Sequence, residues 1–132
     1  MHIAAEDGDS RLVQFILLKF ENSCHQKDIN GYIPIHRAAQ NGHLEVIKIL
    51  ANFTENPNVT NFDGLTPIHL AAMNGHTDVV KYLSKFTKNP NAPDINGVTP
   101  FLLAVWNRRR IGIDTLMIHE SLNNSEKIAI FE

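Results

Sequence analysis

An all-α repeat solenoid, a stack of short helix-turn-helix units joined by tight β-turn or hairpin loops, is the fold class this sequence predicts. Three observations carry it. The stretch Asn30-Gly-Tyr-Ile-Pro-Ile-His-Arg-Ala-Ala-Gln-Asn-Gly-His43 is nearly copied by Asp63-Gly-Leu-Thr-Pro-Ile-His-Leu-Ala-Ala-Met-Asn-Gly-His76, with a period of 33 residues. The pattern returns partly as Asn96-Gly-Val-Thr-Pro-Phe-Leu-Leu-Ala-Val105 and opens as Met1-His-Ile-Ala-Ala-Glu-Asp-Gly8 without its front half. The apolar face of each predicted helix is also too narrow to be shielded within one unit, so consecutive units must stack and share a continuous core.

The elements follow in order. The first unit, residues 1–27, begins inside a helix that Gly8 ends, and a second helix presents Leu12, Val13, Ile16 and Leu17 to the core. Because its turn and N-cap are absent, the sequence predicts a fragment with repeats upstream; initiation of a shortened form at an internal Met is the alternative. His2 and His36 lie 34 rather than 33 residues apart, so one extra residue sits in the loop between Gly8 and Gly31, and that loop also holds Cys24 and His25. The second unit, residues 28–60, buries Val46, Ile47 and Leu50 on its second helix.

The third unit, residues 61–93, is the most complete. Asp63-Gly64 forms a turn, Thr66 caps a helix whose first position is Pro67, and Ile68, Ala71 and Ala72 make its apolar face. Gly75 ends that helix in a left-handed conformation, and His76 and Thr77 open the next, which buries Val79, Val80 and Leu83. The fourth unit, residues 94–118, repeats only the turn and first helix well. Ile113, Leu116, Met117 and Ile118 can form a final helix, and Ser125 can cap a short turn through Ile128 to Phe131 in a tail, residues 119–132, that either caps the core or frays.

These residues resemble the ankyrin repeat, D-x-x-G-x-T-P-L-H-x-A-A-x-x-G-H followed by V-V-x-x-L-L, with copies two and three matching from about Asp28 to Asn91. Ile33 replaces the family Thr, which removes a cap worth about 1 kcal/mol. The fourth copy departs further, with Leu102 for His, Val105 for Ala, Arg108 for Gly and Gly112 for Val. The resemblance implies that His2, His36 and His69 hydrogen-bond backbone and the capping Thr between units, and that His43 and His76 follow the helix-ending glycines. It implies a non-catalytic protein-interaction scaffold or adaptor, or alternatively the ankyrin part of a larger channel, kinase or ubiquitin-ligase adaptor that tethers or regulates another domain. It also implies that Asn58 and Asn91, six residues before the turn glycines Gly64 and Gly97, are candidate sites for a 2-oxoglutarate-dependent asparaginyl hydroxylase, while His25 breaks the match in the first copy.

Composition narrows the alternatives. Of 132 residues, 43% are hydrophobic, and 12 basic against 14 acidic side chains leave a net charge of -2, which argues against a generic polyanion binder. Arg108-Arg109-Arg110 is the one basic cluster, better read as solvated charge near a helix end than as a nucleic-acid grip. The single cysteine, Cys24, makes neither an intrachain disulfide nor a zinc finger of the usual spacing, so the expected setting is reducing and intracellular, cytoplasmic or nuclear. No apolar run approaches the ~20 residues of a membrane span, and Glu6, Asp7 and Asp9 interrupt the place of a signal peptide's apolar core.

Catalysis finds no support in the residues. Five of the seven histidines are accounted for by the repeat, and pairs such as His36 and His43 are spaced too widely to share a helix face as metal ligands do. His25 and His119 are unplaced and expected on the surface. Cys24 and His25 lack a third group, the serines lack a nucleophile-elbow context, and no glycine-rich phosphate loop occurs. The reading is therefore of a monomer that is not an enzyme, takes no cofactor or metal, and has another protein as its partner. By the family register, its contacts are Ile29, Tyr32, Phe62, Leu65, Ile95 and Val98 on the turns, with Gln40, Asn41, Met73, Asn74, Trp106 and Asn107 at the ends of the first helices. Tyr32, Phe62 and Trp106 are the expected anchors. The six apolar turn residues either form an exposed stripe or pack on one another between turns.

Overall fold

Each full unit starts its first helix at a proline because Pro supplies the helical φ where no N–H partner is needed. The computed structural model describes residues 1–107. The helices are α1 (His2–Asp7), α2 (Ser10–Lys19), α3 (Pro34–Gln40), α4 (Leu44–Ala51), α5 (Pro67–Met73), α6 (Thr77–Ser84) and α7 (Pro100–Trp106), with a 3-10 helix over Glu21–His25. Helices α1, α3, α5 and α7 pack in sequence as one layer, and α2, α4 and α6 as the second.

Small residues let the first layer close up: Ala4, Ala5, Ala38, Ala39, Ala71, Ala72 and Ala104 are all buried. The second layer contributes Val46, Ile47 and Leu50, then Val79, Val80 and Leu83, each fully or almost fully buried. Burial of one such branched side chain stabilises by roughly 1.5–3 kcal/mol. Thr66 caps α5 by accepting from the His69 N–H at 3.3 Å. Ile33 cannot do the same for α3, so only the reciprocal half survives there: the Ile33 N–H donates to His36 Nδ1 at 3.1 Å. Gly75 ends α5's turn at φ 75°, in the left-handed region.

Histidines tie the layers together. The Nε2 atoms of His2, His36 and His69 bond the carbonyls of Tyr32, Leu65 and Val98 at 2.8, 3.1 and 2.9 Å, each reaching the next unit's turn. His43 and His76 reach backwards, to the Glu6 and Gln40 carbonyls at 2.8 and 3.0 Å. Every bond crosses a unit boundary: two imidazoles bridge the first and second units, two the second and third, and one the third and fourth, each occupying a backbone carbonyl that its own unit leaves free for it.

Two local expectations need correction. Of the four apolar residues expected to face the core from α2, only Val13 and Leu17 are buried; Ile16 is half-buried and Leu12 exposed. Both lie on α2 of the first unit, whose buried side is made by Val13 and Leu17. The segment around Cys24 and His25 is also not an open loop. It is the 3-10 helix, in which His25 is exposed but Cys24 is buried, its Sγ near the Glu21 and Phe53 carbonyls, and burial pushes the thiol pKa up. Arg108–Arg110, Gly112, Ile113, Leu116 to Ile118, His119, Ser125 and Ile128 to Phe131 lie outside the described residues.

Candidate interaction surface

The turn tips are built by one acceptor per unit. Asp28 Oδ1 accepts from the N–H groups of Asn30 and Tyr32 at 2.9 and 3.0 Å, and Asn61 Oδ1 from those of Asp63 and Leu65 at 3.0 and 2.8 Å. Asp94 Oδ1 does the same for Asn96 and Val98, both at 2.8 Å. These are Asx turns, in which a side-chain oxygen stands in for a backbone carbonyl and stiffens a surface loop. Consecutive tips are then joined directly: the Phe62 N–H donates to the Asn30 carbonyl at 3.2 Å, and the Ile95 N–H to the Asp63 carbonyl at 3.0 Å.

This geometry divides the six apolar turn residues into two rows. The first row points outward: Ile29 is 92%, Phe62 63% and Ile95 68% exposed. Tyr32, Leu65 and Val98 form a half-buried second row, and their carbonyls are the ones taken by the histidines of the preceding units. Tyr32 is covered further. Its ring lies 4.5 Å from the Arg37 guanidinium and edge-on to the His36 ring at 5.3 Å. Arg37 is itself fixed by Asp28 at 2.9 Å and by Gln40 Oε1 at 3.2 Å. Phe62 has the Lys27 ammonium over its ring, at 5.7 Å, and sets one edge of the ring against Gly31 of the preceding turn.

The helix-end residues differ among themselves. Trp106 is 59% exposed at the end of α7, whereas Met73 and Gln40 are half-buried. The three asparagines are largely spent on structure: Asn74 and Asn107 donate to the Leu70 and Leu103 carbonyls of their own helices, and Asn41 to the Glu6 carbonyl across a unit boundary. The two candidate hydroxylation sites are buried. Asn58 donates its amide to the Leu83 carbonyl at 2.9 Å, and Asn91 Oδ1 accepts from the Phe101 N–H at 2.9 Å.

Sequence reasoning missed two features. Asp28, Asn61 and Asp94 recur at the repeat period as turn builders, a signal available from the side-chain chemistry of Asp and Asn in turns. The exposed apolar residues Phe15, Leu18 and Phe20 on and after α2 were not singled out either. Among the described residues, no three His, Cys, Asp or Glu side chains gather as a metal site, and no helix is long and apolar enough to cross a membrane.

No curated protein matches the sequence. The family model "Ankyrin repeats (3 copies)" matches residues 1–92 and 53–127. Those two matches span almost the whole chain, including the histidine-bridged units and the joined turns, and the chain belongs to the ankyrin repeat family.

Proposed function

We propose that the chain is a non-catalytic scaffold or adaptor that captures another protein along its turn tips and the adjoining ends of its first helices. Ankyrin repeats in general mediate protein–protein interaction. The observation that carries the finer reading is the register-locked outer row, Ile29, Phe62 and Ile95, together with the exposed Trp106 at the end of α7. Apolar side chains exposed at the tips of rigid turns add little to their own unit, and a row of them repeated along joined turns is the kind of surface that marks a partner site. Phe62 and Trp106 are the anchors. Tyr32 serves the scaffold, because Arg37 and His36 already occupy its faces.

Replacing Phe62 and Trp106 together by Ala should reduce capture of the partner recovered by affinity pull-down at least ~10-fold, since a central aromatic contributes ~2 kcal/mol or more. The helical circular dichroism and melting transition should survive, both side chains being exposed. Unfolding of the double variant, or full retention of the captured protein, would show that the row is not the site.

Asn58 and Asn91 fit the same reading as hydroxylation sites only when their segments open locally, because each amide is bonded inside the stack. Peptides from the native chain should then carry a shift of about 16 Da on either Asn, the mass of one oxygen; peptides at the unmodified mass alone would remove this part.

A further inference from the structure

A net charge of -2 hides an uneven placement of the cations. Lys48 on α4, Lys81 on α6, and Lys85 and Lys88 just past the end of α6 are all exposed, and they gather towards the C-terminal ends of these two helices. Glu45 and Asp78 stand at the opposite ends, in the first turns. Glu55, in the turn after α4, and Glu21, which shares a cleft with Phe53, are the carboxylates at the lysine end. None of the four lysines is paired: among the described residues the one ion pair is Arg37 with Asp28.

Aromatic side chains sit among these lysines. The ammonium groups of Lys48 and Lys85, from neighbouring units, each lie 5.9 Å from the centre of the Tyr82 ring, and the Phe86 ring meets Tyr82 edge-on at 5.3 Å. Phe53 and Phe86 stand at the same repeat position, 33 residues apart, and are 41% and 45% exposed. This exposure does not come from an end of the chain, because α4 has α2 packed on one side and α6 on the other and still exposes Lys48 and Phe53. A helix C-terminus by itself favours cations. It gives no reason to expose a phenylalanine beside them in each unit.

All four cations are lysines. An arginine fork reads a single carboxylate through two bonds, whereas a lysine is a point charge on a flexible stem, suited to a diffuse anionic field. Lysine stems also lie along apolar surface with the charged head in a polar layer, and aromatic rings favour the same boundary. We propose that this back face of the second and third units rests on an anionic lipid surface, with the ammonium groups among the headgroups and Phe53 and Phe86 at the boundary of the acyl layer. The face belongs to the second-helix layer and leaves the turn tips free, so it is independent of protein capture there.

Co-sedimentation of the full chain with vesicles tests it, using equal parts phosphatidylserine and phosphatidylcholine against phosphatidylcholine alone. The chain should bind the anionic vesicles at least ~10-fold more tightly, and added salt should weaken that binding. Lys48→Glu with Lys85→Glu should lower the affinity at least ~10-fold while the helical circular dichroism survives, both side chains being exposed. Lys85→Glu alone should weaken binding, whereas Arg11→Glu, the same change of net charge placed in the first turn of α2, should not. Phe53→Ser with Phe86→Ser should weaken binding and leave its salt dependence in place. No binding to the anionic vesicles, or equal losses from Lys85→Glu and Arg11→Glu, overturns the proposal. Binding of a poly-glutamate peptide without binding of the vesicles gives the face to an acidic protein segment and overturns it as well.

Discussion

Acidification from above pH 6.5 to about pH 4 is expected to cost the stack about 3 kcal/mol through His36 alone. His36 is fully buried, and desolvation of its charged form lowers its pKa from 6.5 to about 4. Its hydrogen bonds say which neutral form is present. The Ile33 N–H donates to Nδ1, so Nδ1 is the acceptor and Nε2 carries the proton given to the Leu65 carbonyl. Protonation would turn Nδ1 into a donor facing another donor.

The sign follows from where each state takes up its proton. The unfolded chain protonates near 6.5 while the folded chain resists until about 4, so across that window the unfolded state holds more protons. The stabilisation is complete above pH 6.5 and is lost as the pH falls towards 4. His69 is shifted down for the same first reason, burial, and adds in the same direction. Asp28 acts in a separate window. Burial raises its pKa, but the Tyr32 N–H, Arg37 and the Asn30 N–H together hold it below 3.8, so its contribution disappears only at lower pH. Urea unfolding across this range should show the midpoint falling with pH, and His36→Gln, less stable at neutral pH, should show a shallower fall. A flat wild-type profile, or an equal slope in the variant, would contradict the neutral buried imidazole.

How far the sequence reports the molecule depends on whether each residue's role is set inside its own unit. Thr66, Pro67, Gly75 and His69 act on atoms a few residues away or one period away, so the third unit was legible to the level of its cap. Leu12 was not, because sharing the repeat position of Val46 and Val79 does not by itself say what packs over it. Apolar residues at positions two and five of the turn look equivalent in sequence; what separates them is the Asx turn, which sends Ile29, Phe62 and Ile95 outward while Tyr32, Leu65 and Val98 lean on the helices. Likewise, Tyr32 looks like an anchor until Arg37 and Asp28, nine residues apart, are seen to close over it. The inserted residue before Gly31 was visible as a count, but that it is absorbed in a 3-10 helix burying Cys24 depends on contacts with Phe53.

Gly64→Ala should destabilise the stack by about 3 kcal/mol, and Gly97→Ala by only about 1 kcal/mol, although the two glycines occupy the same turn position. Their φ angles are 80° and 77°, so an added methyl suffers the same left-handed strain of ~1–2 kcal/mol at both. The loss of unfolded-chain freedom on replacing Gly, ~0.4–1 kcal/mol in the stabilising sense, is also common to both and cancels in the comparison. What differs is the neighbour. A Cβ on Gly64 would lie 2.8 Å from the Ile95 nitrogen and 3.1 Å from the Asp94 Cα, which are backbone and cannot rotate aside. A Cβ on Gly97 meets nothing within 4 Å among the described residues. The extra cost at Gly64 is therefore that of pushing the third and fourth turns apart, ~1–3 kcal/mol, and the bond from the Ile95 N–H to the Asp63 carbonyl is the one stretched. That bond aligns Phe62 with Ile95, so Gly64→Ala should weaken partner capture beyond its effect on the melting temperature, and Gly97→Ala should not. Equal losses of stability in the two variants would mean that left-handed strain alone explains the glycines and that the turns are not held together by their close approach.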